Sequence, residues 1–182
     1  AEAQPAESYA ANELVKYIKE MTSQTLPVVV EGEVKPTGRA LILGRTKGNL
    51  KNHNPDSWQL DTIYIGYGKG DIAIIGQGDQ GTLFAAYEFL RDQGCRWYMP
   101  VEIGEHIPPR RYLDLPDKPK THTPSFWDRG WYITPTNDWK TFKGWAVRNG
   151  LNTLSTDYHS VEYPPELGYG RQKSMGHSLI TI

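Results

Sequence analysis

Between residues 10 and 21, apolar Ala11, Leu14, Val15, Ile18 and Met21 recur at helical spacing, while Glu13, Lys16, Lys19 and Glu20 take the other face. The pattern predicts an amphipathic helix. Residues 26–30 form a β-branched run around Pro27, which has no N–H to give to a ladder, so the run reads as an edge or first-position strand. Residues 40–43, ended by Gly44, read as another strand. Residues 62–67 and 71–75 flank Gly68-Lys69-Gly70, the pattern of a β-hairpin and hence of antiparallel pairing. A second amphipathic helix follows, with Leu83, Phe84, Tyr87 and Leu90 inward, Glu88, Arg91 and Asp92 outward, and Gly94 just past its end. Residues 95–98 then read as a short strand before Pro100.

From residue 107 onward the pattern breaks. Pro108, Pro109, Pro116, Pro119 and Pro124 stand among charges, which suits an extended, semi-rigid connector. Beyond it, residues 126–133 read as a strand, 138–148 as a helix and 151–157 as a strand, the order of a βαβ unit and therefore of a parallel sheet or barrel. The division expected is a first domain over 1–107, a connector over 108–124, and the incomplete start of a second domain over 125–182. A parallel domain does not close on two strands, which implies that the natural protein continues.

Charge and composition narrow the function classes. Lys plus Arg number 20 against 21 for Asp plus Glu, so no global field recruits nucleic acid or anionic lipid. No apolar run approaches the roughly 20 residues of a membrane span. The expected partner is a small or neutral ligand, with no nucleic acid and no membrane insertion. Cys95 is the single cysteine, which excludes an intramolecular disulfide and a cysteine-based zinc cluster; it reads as a buried apolar residue. Six Trp and eleven Tyr against four Phe give an excess of amphipathic rings, the kind that fill cores and also stack on sugars. Four of the six Trp fall between Trp127 and Trp145. His106, His122, His159 and His177 show no ligand spacing, so no metal and no cofactor is expected.

Gly76, Gly78 and Gly81 match the glycine spacing of a dinucleotide-binding turn between a strand and a helix, with Glu102 about twenty residues on. Against that reading, the entering strand is already half of an antiparallel hairpin, and Asp79 would set its charge against a pyrophosphate. The alternative is a tight strand-to-helix turn with Asp79 or Thr82 capping the helix.

The segment from Gly81 to Leu90, followed by Gly94-Cys-Arg-Trp-Tyr98, Pro100 and Gly104-Glu-His-Ile-Pro108, resembles the N-terminal domain of a bacterial glycoside-hydrolase-like family. These are domain-of-unknown-function proteins related to α-glucuronidases and to the accessory domain of β-hexosaminidases. The first helix from Ala10 to Tyr17 and the stretch from Met21 to Val28 are similar to the same domain, so the likeness covers most of residues 6–108. In the family this domain precedes a (β/α)8 barrel that carries the activity, and Arg129, the stretch from Trp145 to Asn152, and Gly176-His177 look like the opening of that barrel. The expected fold class is thus α/β, with an α+β first domain: a small, mostly antiparallel sheet packed with two helices, followed by the truncated start of a (β/α)8 barrel. The resemblance implies the N-terminal portion of a glycoside hydrolase, with a carbohydrate ligand, the remainder of the barrel as partner, and a secreted, periplasmic or cell-surface location. A non-catalytic carbohydrate-binding or cell-surface module is the alternative, and a nucleotide-binding protein using the glycine loop is a further one.

Barrel enzymes carry their working groups at the C-terminal ends of strands. On that basis the candidate substrate-binding residues are Arg129, Trp131, Asp157, His159 and His177. Arg129 suits either a fork onto sugar hydroxyls or a carboxylate, or an ion pair with Asp128 or another acid. Trp131 suits either a stacking wall or a core position. Asp157 and His159 stand at the end of the second strand, and His177 lies in a Gly-His-Ser context. Asn149 and Asn152 read as residues that end the helix and start the strand. Glycoside hydrolysis generally uses two carboxylates, and Asp157, Glu162 and Glu166 form no defensible pair, so the catalytic acids are expected beyond Ile182.

Overall fold

The fold is seen in a computed structural model that describes residues 3–33, 37–67, 70–115, 117–132, 139–155 and 164–168. The amphipathic pattern near the N-terminus forms α1 (Pro5–Thr22), which begins five residues before the predicted start. Pro5 sits where a missing N–H costs nothing, and the carboxylate of Glu7 accepts from the backbone N–H of Gln4 at 3.1 Å. Ser23, with φ 61°, ends the helix. Four strands make the main sheet: β1 (Leu41–Leu43), β2 (Ile63–Gly66), β3 (Ile72–Gly76) and β6 (Lys120–His122), in the order β1-β3-β2-β6. The expected hairpin is present, with Tyr64 opposite Ile75 and Ile65 opposite Ile74. β2 also pairs antiparallel with β6, whereas β1 runs parallel to β3, so the sheet is mixed but mostly antiparallel. β6 arises inside the proline-bearing stretch; Pro119 precedes it and Pro124 follows, which places both rings off the ladder.

α3 (Gly81–Asp92) packs on β2 and β3, and α1 packs along α3. Ile63, Ile65, Ile72 and Ile74 meet Leu83, Phe84, Ala86 and Leu90, while Leu14, Tyr17, Ile18 and Met21 close the other side of the same core. On the opposite face of the sheet Tyr64 lies against His53, ring centroids 4.1 Å apart, with Trp58 alongside. A small antiparallel pair, β4 (Arg96–Trp97) and β5 (Glu105–His106), follows α3. The second half forms the predicted βαβ unit: β7 (Gly130–Tyr132), α4 (Trp139–Arg148) and β8 (Thr153–Ser155), with Trp131 paired in parallel to Leu154.

Several expectations need correction. Residues 26–30 join no ladder; Leu26, Val28, Val29 and Val30 are exposed, and the chain there leads to Glu31, whose carboxylate caps α2 (Lys47–Asn52) by accepting from Lys47 and Gly48 N–H. α2 itself was not legible in the sequence. Glu13 does not face solvent: it is buried against Tyr87 and Arg148. Neither Asp79 nor Thr82 caps α3; Gln80 stands at its N-cap without a side-chain bond, and its amide instead donates to the Leu167 carbonyl at 2.9 Å.

Candidate functional site

Of the residues singled out for chemistry, Arg129 and Trp131 lie just ahead of and within β7, where the second half meets the first. Arg129 immediately precedes β7. Its guanidinium donates to the Gly150 carbonyl at 2.8 Å, the Phe126 carbonyl at 3.0 Å and Asp61 at 3.0 Å, and it lies over the Phe84 ring. Of the two roles open to Arg129, the ion pair is the one the structure contains, and its acid is Asp61. Asp61 is buried just ahead of β2 in a left-handed conformation, φ 60°, which aims its carboxylate across to the second half. The same carboxylate accepts from Asn152 Nδ2 at 2.9 Å, and Asn152 Oδ1 accepts from the Arg129 N–H at 2.8 Å. Asn152 therefore does start the second strand, by tying β7, β8 and the first half to one acid.

Trp131 sits differently. It is 54% exposed, with its ring centroid 5.2 Å from that of Trp145, which is buried and held by an indole bond to the Trp97 carbonyl at 3.0 Å. Trp131 thus leans on a fixed ring while the rest of it faces outward. Phe126 and Trp127, just before β7, are exposed as well. Asn149 ends α4 as expected, donating to the Trp97 and Trp145 carbonyls. Asp157, His159 and His177 lie outside the described residues. The structure places Arg129 just ahead of β7 and Trp131 within it, and sequence reasoning missed Asp61, whose positive φ is a conformation that a lone sequence does not announce.

Between the halves lies a cleft of ≈ 180 Å³ lined by Asp61, Phe84, Glu88, His122, Arg129 and Arg148 among others. Its charges are already matched: Glu88 pairs with Arg91 and Lys120, Arg129 with Asp61, and Arg148 with Glu13 and Glu105. Such a cleft has little free charge to offer an ionic ligand. The glycine turn offers no cradle either. A Cβ on Gly76 would stand 2.1 Å from the Gly81 carbonyl carbon, so these glycines allow strand and helix backbones to touch each other. Gly168 packs over Asp79 and Gln80, covering the loop. Among the described residues no group of His, Cys, Asp and Glu is placed to hold a metal, and no helix is long and apolar enough to cross a membrane.

No family model matches the chain, and no curated protein matches it. Among solved structures it is similar to a protein described as a novel family GH115 4-O-methyl-α-glucuronidase, BtGH115A, with specificity for decorated arabinogalactans. The TM-score is 0.66 at 15% sequence identity, over 86% of this chain and 24% of that one. The chain spans about a quarter of that protein's length, and the likeness is one of fold. The α/β first half, leading into a parallel βαβ unit, is thus a fold shared with part of that protein.

Proposed function

We propose that the chain is the N-terminal portion of a glycoside hydrolase acting on polysaccharide or complex glycan. Residues 1–107 form a non-catalytic scaffold, 108–124 connect and lend β6 to its sheet, and 125–182 begin the barrel whose remainder is the natural partner. The observation that carries this reading is Trp131: a half-exposed indole on the first strand of the βαβ unit, steadied by Trp145, in a fold shared with a glucuronidase. An indole face gives a pyranose ring its apolar C–H surface to stack on. Asp157 and His159, which follow the second strand in sequence, and His177, in its Gly-His-Ser context, belong to this proposal as further sugar contacts. An enzyme of this kind meets its polymer outside the cytoplasm, which is the location the reading carries with it.

The test is a glycan array probed with the intact chain and with Trp131→Ala. Binding to plant or microbial polysaccharide fragments, weakened by about fivefold or more in the variant, is the expected result. Stacking on one ring contributes roughly 1 kcal/mol or more, consistent with that loss. Binding that survives the substitution assigns the sugar contact elsewhere and favours a non-catalytic carbohydrate-binding module.

A further inference from the structure

The last residue of α4 reaches out of the βαβ unit. Arg148 donates through Nε to Glu13 Oε2 at 3.4 Å and through Nη1 to Glu105 Oε1 at 3.1 Å. Those acids come from α1 and β5, which are separate elements of the first half. The same carboxylates hold phenols: Tyr87 donates to Glu13 at 2.7 Å and Tyr17 to Glu105 at 3.4 Å. Trp97 Nε1 in turn donates to the Tyr17 hydroxyl at 3.0 Å, and the Arg148 guanidinium lies over the Tyr17 ring. Tyr17, Tyr87 and Glu13 are all buried. Trp145, one turn earlier, and Asn149, the next residue, both donate to the Trp97 carbonyl, while Arg91 from α3 donates to the carbonyl of Arg148 itself.

We infer that Glu13, Tyr17, Tyr87, Trp97 and Glu105 form an intramolecular docking socket on the scaffold, built to receive an arginine that ends the first helix of a parallel βαβ unit, and that Arg148 sets where that unit sits. Two carboxylates face one guanidinium in the socket, and Glu13, its side chain 9% exposed, has little solvent to fall back on if the arginine goes. Burial pushes the Tyr17 and Tyr87 phenols well above their ordinary range, so they serve as hydrogen-bond donors and not as competing anions. Burial alone would weaken the charge on Arg148; the Glu13 and Glu105 carboxylates beside it favour the ionised guanidinium. The partner this surface fits is therefore specific: a helix end that presents a cation, with an indole one turn before it. The inference stands on these contacts and does not depend on which glycan, if any, the chain binds.

Hydrogen exchange with peptide resolution on the intact chain tests it, comparing wild type with Arg148→Met, Arg148→Lys and the double variant Glu13→Gln/Arg148→Met. Arg148→Met is expected to speed exchange across residues 142–155 roughly 100-fold, because breaking one side of a buried charge cluster strands the other. Peptides covering residues 83–90 are expected to keep their protection. Arg148→Lys, which keeps the charge but loses the fork, is expected to fall between, again only in the second half. Adding Glu13→Gln to Arg148→Met is expected to restore part of the lost protection, by removing the stranded charge. Unchanged exchange over 142–155, or an equal loss across both halves in Arg148→Lys as well as Arg148→Met, overturns the assignment.

Discussion

Asp61 accepts from two side chains of the second half while being 6% exposed, so its charge has no solvent to fall back on. Replacing it by Ala strands Arg129, itself half-buried, and removes the anchor of Asn152; a loss of about 3 kcal/mol in unfolding free energy is expected from denaturant titration. A loss below about 1 kcal/mol would show the pair to be a dispensable surface contact. Cys95 gives a second residue-scale test. Its sulfur is buried against Met21, and burial pushes the thiol up to about 11, so thiolate is scarce at neutral pH. Alkylation is expected only on the timescale of global opening, and labelling as fast as a free thiol would contradict the burial. These two residues also differ in how far the sequence reveals them. A lone cysteine before Arg-Trp reads as core from its chemistry, whereas Glu13 looked like part of a solvated helix face. Helical periodicity reports spacing only; Glu13 turns inward because Tyr87 and Arg148 arrive from 74 and 135 residues away.

At the scale of elements, the sheet edge formed by β6 is held by a charge cluster on α3. Lys120 reaches Glu88 at 2.7 Å and Asp92 at 2.6 Å, and Tyr67 donates to Asp92 at 2.9 Å. Burial alone would raise the Glu88 carboxyl; Lys120 and Arg91 outweigh it and hold it below the usual carboxylate value of 4.5. Burial alone would lower Lys120, and Asp92 and Glu88 outweigh it to raise it above 10.5. The sign follows from these directions. Glu88 stabilises the fold above pH 4.5, a contribution lost as pH falls through its lowered value; Lys120 stabilises it below pH 10.5, lost as pH rises through its raised value. In Lys120→Met, unfolding at neutral pH is expected to be easier by on the order of 1 kcal/mol, with a shallower acid limb. An acid limb as steep as in wild type would contradict the coupling. β6 itself was hidden in the sequence because three residues between prolines carry no alternation to read. The run at 26–30 misled for the opposite reason: β-branched residues favour a strand, but the chain there runs to Glu31 and its cap on α2, outside every ladder.

For the whole molecule, the hairpin, both long helices and the βαβ order were legible because each rests on local periodicity or turn chemistry. The joint between the halves was not, since Asp61–Arg129 and Glu13–Arg148–Glu105 are pairings of distant polar residues that no local pattern encodes. Of the five candidate sugar contacts, the described residues include Arg129 and Trp131, and these part company: the first is committed to the joint, the second faces outward. That division makes Trp131 the residue on which the functional proposal turns. The six tryptophans give six indole N–H reporters, and those of Trp97 and Trp145 are held by internal hydrogen bonds. A two-dimensional NMR titration of the labelled chain with a glycan that it binds reads all of them at once. The account predicts that the Trp131 indole signal shifts while those of Trp97 and Trp145 stay in place; a saturable shift confined to Trp58, with Trp131 unmoved, would contradict it.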